Sequence, residues 1–383
     1  MHEPANAAIT RLLEGQVTAG RQIGVQVSVY RHGVLEVDTR AGCMGPHDSR
    51  VVQPDSLFCS FSSTKGVAAL AVHMLADRGL LDYDAPVADY WPAFAKHGKG
   101  AVTVAQAMSH QTGLYAMPAP FHISHMVDWD AGIRRIEDGV PAWTPGDGTT
   151  GYHAVTYSWI AGGIVAAVSG RHIRDFIATE IAAPLGVADE FFVGVPVHDA
   201  SVRSRLTSLH IVPAGDGLPI PDDHAMFKAM PKALWTYCND LTFREACLPG
   251  ANGHFSSRAL ARMYGALANG GEIDGVRLVS KDRIAAMQAV QAHAPDVVLA
   301  AVNRKGIGFF IGGLVPAPGD RMVHGPIGPS EHAFGHTGAG GSVGFADPEH
   351  GLGVAVTINK MAYPAPGEGT TIEITDLIRE LFT

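Results

Sequence analysis

Phe61-Ser62-Ser63-Thr64-Lys65-Gly66 is the stretch on which the fold and the chemistry both turn. Upstream, Leu57 to Phe61 is a short apolar run. Downstream, the pattern becomes helical from Thr64, with Val67, Leu70, Ala71, Met74 and Leu75 on one face and Gly79 in the C′ position. The stretch is therefore a strand-to-helix junction. Ser62 and Lys65 are three residues apart and lie on one side of a helical turn, so the amine can reach the hydroxyl. A desolvated lysine loses basicity and can accept the serine proton. A helix start also offers free N–H groups and the positive end of the dipole to a developing oxyanion. Four letters alone decide little: 18 Ser and eight Lys supply about 0.4 such S-x-x-K tetrads by chance. A capping serine followed by a surface lysine reads identically.

The composition around this stretch narrows the classes. The 383 residues carry 28 Lys+Arg against 37 Asp+Glu, a net charge of −9, together with 19 His. The 46% hydrophobic and 17% charged residues fit a globular chain. An acidic chain without a run of Lys/Arg has no footprint for nucleic acid or for a membrane surface. The first 20 residues lack a basic segment followed by a long apolar one, and no apolar run is long enough to span a bilayer. Cys43, Cys59, Cys238 and Cys247 show no C-x-x-C spacing and read as reduced thiols of a cytoplasmic protein.

Residues 5–19 read as an amphipathic helix, and Ile23 to Tyr30 with Val34 to Thr39 as a hairpin turning at His32-Gly33. Helices are expected near Ile173 to Ile181, at Arg258 to Ala268 behind Ser256/Ser257 caps, and at Thr371 to Phe382. Residues 306–315, 342–346 and 352–358 return to strand composition, and Asn303 to Gly308 reads as a loop. Strands and helices at both ends of a mostly helical centre predict an α+β fold closed by the two termini. It is one catalytic unit over 1–383, with residues 1–65 and 300–383 building the sheet part and 66–299 the mostly helical part.

Further motifs change the weight of the tetrad. Gly79-Leu80-Leu81-Asp82-Tyr83-Asp84-Ala85-Pro86-Val87 and Tyr90-Trp91-Pro92 precede Met108-Ser109-His110-Gln111-Thr112-Gly113-Leu114. Together with Phe61 to Gly66, these segments and their spacing resemble the class C β-lactamase and penicillin-binding superfamily of serine hydrolases. The resemblance runs from about residue 10 to the C-terminus and is clearest over residues 57–114. It implies a β-lactamase/transpeptidase-like fold, an antiparallel sheet flanked by helices with a helical region inserted, and a site at their seam.

The resemblance also implies a tyrosine partner for the lysine, in a Y-x-N or Y-x-S triplet. The matching stretch after Pro145-Gly146 holds Tyr152-His153-Ala154, with Tyr157 as the second candidate. Ala154 takes the place of the family's Asn. A free tyrosine has a pKa near 10, so positive charge from Lys65 is expected to assist Tyr152. The third element, usually K-T-G, is His336-Thr337-Gly338 here. The resemblance makes His336 and Gly338 substrate-binding positions, and the N–H groups of Ser62 and Ala339 the oxyanion hole. His336 in place of a permanent cation weakens the case for substrates bearing a carboxylate. It is similar to the family VIII carboxylesterases of this superfamily.

Gly340-Gly341-Ser342-Val343-Gly344 matches the G-x-S-x-G elbow. That motif needs a strand–Ser–helix turn, and here Ser342 opens a strand and reads as structural. His324, His332 and His350 lack metal-ligand spacing. The expected function is hydrolysis of small short-chain carboxylic esters through an acyl-enzyme on Ser62, with Lys65 and Tyr152 as proton carriers and no metal or cofactor. A β-lactamase, D-Ala peptidase, amidase or acyltransferase on the same fold is the alternative. A non-catalytic binding or assembly protein is disfavoured by the intact Ser62, Lys65 and Tyr152.

Overall fold

The computed structural model of the chain describes residues 1–215 and 220–383. Helix α1 (Glu3–Thr18) leads into strands β1 (Gly24–Arg31), β2 (Val34–Gly45) and β3 (Asp48–Val51). The β1–β2 turn places His32 and Gly33 at φ +49° and +79°, the left-handed pair that a tight two-residue hairpin requires. The main sheet is completed by β4 (Ala292–Pro295), β5 (Val302–Lys305), β6 (Phe310–Ile311), β7 (Phe334–Thr337), β8 (Val343–Asp347) and β9 (Leu352–Ile358). Its nine strands run in the order β3-β2-β1-β9-β8-β7-β6-β5-β4, each pair antiparallel.

Alternation in β1 and β9 explains the layers. Val25, Val27, Val29, Val354 and Val356 bury one sheet face against Ile9 and Leu13 of α1 and Ile374 and Ile378 of the last helix, α5 (Thr370–Phe382). The opposite face carries Gln26 and Ser28, which meet helix α4 (Ser257–Ala268): Ser257 N–H donates to Gln26 Oε1 at 3.0 Å, and the Ser28 and Ser257 hydroxyls lie 2.8 Å apart. The α4 backbone touches the sheet, since a Cβ at Gly353 would sit 2.1 Å from Gly265 N. Ser256 caps α4 by accepting the Ala259 N–H, as the sequence predicts.

Helix α2 (Thr64–Asp77) is buried on all sides from Thr64 to Ala76 and lies at the centre of the larger core beside α3 (Tyr157–Ser169). A second, three-stranded sheet joins Phe58–Cys59, Gly253–Phe255 and Phe191–Val193, with 253–255 in the middle. It fixes the backbone just before Ser62.

Three local expectations need correction. Asn303 to Gly308 is not simply a loop: Val302–Lys305 is strand β5, whose Lys305 is fully buried. Helix 173–181 ends as an α-helix at Ile177 and continues as a π turn over Ala178–Ala182. Strand β4 joins the main sheet from residues 292–295, and α4 from residues 257–268 covers it, so sheet and helical parts interleave before residue 300. No helix among the described residues is long and apolar enough to cross a membrane.

Candidate active site

Ser62 sits in a 3-10 turn (Phe61–Ser63) that runs directly into α2. The residue before it, Phe61, is held at φ +43°, a left-handed conformation that a bulky side chain rarely adopts. Thr64 braces this turn by donating its hydroxyl to the Phe61 carbonyl at 2.5 Å and accepting the Gly253 N–H at 2.8 Å. The second sheet completes the clamp, with Ser60 N–H donating to the Gly253 carbonyl at 2.8 Å.

Lys65 is fully buried with no carboxylate partner among the described residues. Its Nζ donates to the carbonyls of Ala154 at 2.8 Å and Gly250 at 2.6 Å and lies 2.9 Å from Ser62 Oγ. Burial pushes its pKa well below the ordinary lysine value. A neutral amine has two hydrogens and one lone pair. The two carbonyls take the hydrogens, which leaves the lone pair facing the Ser62 hydroxyl.

Tyr152 and Tyr157 separate clearly. Tyr152 borders the same cavity as Ser62, and Lys65 Nζ lies 4.7 Å from its ring centre. Tyr157 is fully buried, and its hydroxyl is turned towards Gly308 in the core without a hydrogen-bond partner among the described residues. Burial raises the pKa of the Tyr152 phenol, offset in part by the Ser62 hydroxyl. The expectation that Lys65 lends Tyr152 positive charge is therefore revised: burial drives both groups towards their neutral forms. Ala154, in the place of the family's Asn, contributes its carbonyl to Lys65 while its methyl packs with Tyr115 and Val298.

Thr337, Gly338 and Ala339 line the cavity opposite Ser62. Gly338 is required there, because a Cβ would sit 2.2 Å from the Ser60 carbonyl oxygen. Among the described residues, no protein acceptor takes the Ala339 N–H. His336 lies behind this wall. It is 1% exposed, stacks on Phe310 at 4.4 Å and stands 6.0 Å from the Tyr152 ring. Its Nδ1 donates to the Thr337 carbonyl at 2.7 Å, so Nε2 is the unprotonated nitrogen, and among the described residues it has no partner. Burial pushes its pKa well below the usual histidine value, and the ring is neutral. Ser342 is 2% exposed and accepts the Ile358 N–H at 3.2 Å, a structural contact between β8 and β9.

The cavity measures about 780 Å³. Met226, Met230, Leu299, Phe310, Tyr363 and Ile372 make its lining largely apolar. The two cations at its rim are engaged elsewhere, Arg21 with Glu373 and Lys360 with the Gly20 carbonyl.

Sequence reasoning missed several residues that hold the site. Gly250 binds the Lys65 amine through its carbonyl, and only the Pro249-Gly250 turn signal marks that place. His110, quoted above only as part of the Met108-to-Leu114 segment, holds φ +68°; its carbonyl accepts the Gly151 N–H at 3.1 Å and its Nδ1 accepts the His153 N–H at 3.1 Å. Asp296 and Lys305 carry no local signal at all.

The profile of the Beta-lactamase family matches residues 9–377. The chain belongs to the beta-lactamase family. Among curated relatives, Esterase/beta-lactamase LipL of Mycobacterium tuberculosis is 34% identical over 378 residues, which spans 94% of this chain and 83% of that one. Among solved structures, a penicillin-binding protein homolog from Caulobacter crescentus is 34% identical with a TM-score of 0.86, covering 98% of this chain and 97% of the other. A family VIII carboxylesterase is 32% identical with a TM-score of 0.86, covering 99% and 98%. The β-lactamase/transpeptidase-like fold expected from the motifs is thus the fold of the chain, and the family places it among hydrolases with esterase-named relatives.

Proposed function

We propose that this member of the family is a serine carboxylesterase acting on uncharged esters. The observation that carries the proposal is the pairing of a buried, carbonyl-held Lys65 amine 2.9 Å from Ser62 Oγ with an apolar cavity whose third-motif residue is a neutral histidine. Ser62 gives its proton to the Lys65 lone pair, and Oγ attacks the ester carbon. The N–H groups of Ser62 and Ala339 receive the oxyanion. On collapse, the phenol of Tyr152 protonates the leaving alkoxide and is reprotonated from Lys65. Water then enters and attacks the acyl carbon as it loses its proton to the same pair, which passes a proton to Ser62 Oγ as the acid is released. Every step uses groups of the chain itself.

Gly338 and Thr337 form the wall along which the substrate lies, and His336 acts from behind it. Among the described lining residues the cations are Arg21, paired with Glu373, and Lys360, bonded to the Gly20 carbonyl, and neither stands in the third motif, which supports the ester over a β-lactam or a stem peptide. The short-chain expectation is widened by the cavity, which has room for a larger apolar body than an acetyl or butyryl group. β-Lactam hydrolysis is the second reading, favoured by the relative whose name carries both activities. A panel of p-nitrophenyl esters, a cephalosporin and a D-Ala-D-Ala peptide, run on the wild type and on Ser62→Ala, decides. Ester turnover lost in Ser62→Ala supports the proposal; turnover of lactam or peptide with negligible ester turnover refutes it.

A further inference from the structure

Behind Tyr152, away from the catalytic cluster, lies a fully buried ion pair that the mechanism does not use. Lys305 Nζ stands 2.5 Å from Asp296 Oδ2, with side-chain exposures of 1% and 0%. Asp296 Oδ1 accepts three backbone N–H groups: Tyr152 at 3.1 Å, Val298 at 2.8 Å and Leu299 at 2.8 Å. Lys305 also donates to Thr150 Oγ1 at 2.8 Å, and the Val297 N–H donates to the Thr150 carbonyl at 3.0 Å. One carboxylate thus ties together the backbone of Tyr152, a cavity-wall segment through Leu299, and strand β5.

The neighbouring N–H groups are held as well, Gly151 by the His110 carbonyl and His153 by His110 Nδ1. Three consecutive amides are therefore anchored, and the middle one, that of Tyr152 itself, depends on Asp296. Stability alone gives a weak reason for such a pair, because a well-packed apolar replacement of a buried ion pair is often as stable or more so. An ionised acceptor offers something an apolar pair does not. It can grip several N–H groups at once, and charge-assisted bonds are stronger than neutral ones.

We propose that Asp296, held by Lys305, is a positioning residue that sets the Tyr152 phenol against Ser62 for proton transfer. The inference rests on the catalytic reading of Tyr152 given above. A small displacement of a proton carrier is enough to lower a rate strongly while leaving the rest of the pocket intact.

The test is a double-mutant cycle on kcat for p-nitrophenyl butyrate. Asp296→Asn is made with Tyr152 intact and in the Tyr152→Phe background. Asp296→Asn/Lys305→Met, which leaves no unpaired charge, is made in both backgrounds too and serves if the single variant fails to fold. The expected result is a loss of about tenfold or more with Tyr152 intact, against less than about threefold once Tyr152 is already Phe, because the positioning residue then has nothing left to position. KM is expected to stay within about threefold throughout. Equal fold-losses in both backgrounds, or no loss in kcat, would overturn the inference while leaving the role of Tyr152 standing. A Tyr152→Phe enzyme with unchanged kcat would instead remove the catalytic reading and this inference with it.

Discussion

Gly338 passes so near Ser60 that a single added methyl would lie 2.2 Å from the Ser60 carbonyl oxygen. The end of β7 and the turn that presents Ser62 are thereby locked at backbone contact. Gly338→Ala must push them apart and widen the gap between the Ser62 and Ala339 N–H groups. The expected outcome is a folded protein whose kcat falls about 100-fold or more, the scale of losing an oxyanion donor. Ester kinetics alongside an unchanged far-UV spectrum check it; near-wild-type kcat would show that the two N–H groups do not act together.

Replacing Lys65 by Ala removes the base and leaves the Ala154 and Gly250 carbonyls without their donor. Turnover is expected to fall by about 1,000-fold or more, and labelling of Ser62 by a fluorophosphonate to slow in parallel, since both need the serine proton removed. Retained labelling with lost turnover would move Lys65 from acylation to deacylation.

The depressed pKa of Lys65 has a sign that can be read in a pH profile. The amine must be unprotonated to act, so kcat/KM rises with pH through its lowered pKa and is then flat. The plateau is expected at lower pH than an ordinary lysine, with pKa about 10.4, would give. A rate that keeps rising through pH 10 contradicts the assignment.

Stability carries its own pH dependence. Burial lowers the folded-state pKa of His73 to about 4 and of His153 and His254 to about 3. Above the unfolded value near 6.5 these rings are neutral in both states and contribute nothing. Below it the unfolded chain binds protons that the folded chain refuses, so stability falls as pH drops from about 6.5 towards 4, by up to about 1.4 kcal/mol per pH unit for each histidine. Urea unfolding at pH 7.5, 6.0 and 5.0 measures this; a midpoint unchanged between 6.0 and 5.0 would contradict it.

His336 is a separate case because its ring lies behind the cavity wall. His336→Phe keeps the stacking on Phe310 and loses the bond to the Thr337 carbonyl. A fall in kcat of less than about tenfold is expected, the scale of one hydrogen bond. A loss beyond about 100-fold would give the unpartnered Nε2 a direct part in the chemistry.

Much of this arrangement is legible in the sequence because it is written locally. The Ser62–Lys65 spacing, the capped start of α4 and the alternation of β1 and β9 are each set by neighbours a few residues away. What escaped reading is held by contacts across the chain. Gly250 reaches Lys65 over 185 residues and Thr64 reaches Gly253 over 189, and neither pairing leaves a periodic trace. Asp296 and Lys305 look like ordinary surface charges in the sequence; their burial becomes apparent only when Thr150 and Tyr152 close over them. The desolvation of Lys65 is legible as an option, but that it withholds positive charge from Tyr152 escaped for the same reason. Spacing shows what the amine can touch, but its charge depends on how completely the core surrounds it.

The pairing of β1 with β9 has a consequence for the order in which the protein is made. A chain emerging from the ribosome presents the β1–β2 hairpin at once, yet the partner for the other edge of β1 begins only at Leu352. Until then that edge is an open template for foreign strands, and α1 lacks the α5 side chains that share its core. Closing the central pair waits until Leu352 to Ile358 have been made. A message cut short between Tyr152 and β9 therefore yields a chain that already contains Ser62, Lys65 and Tyr152 but lacks the strand that closes the centre of the sheet.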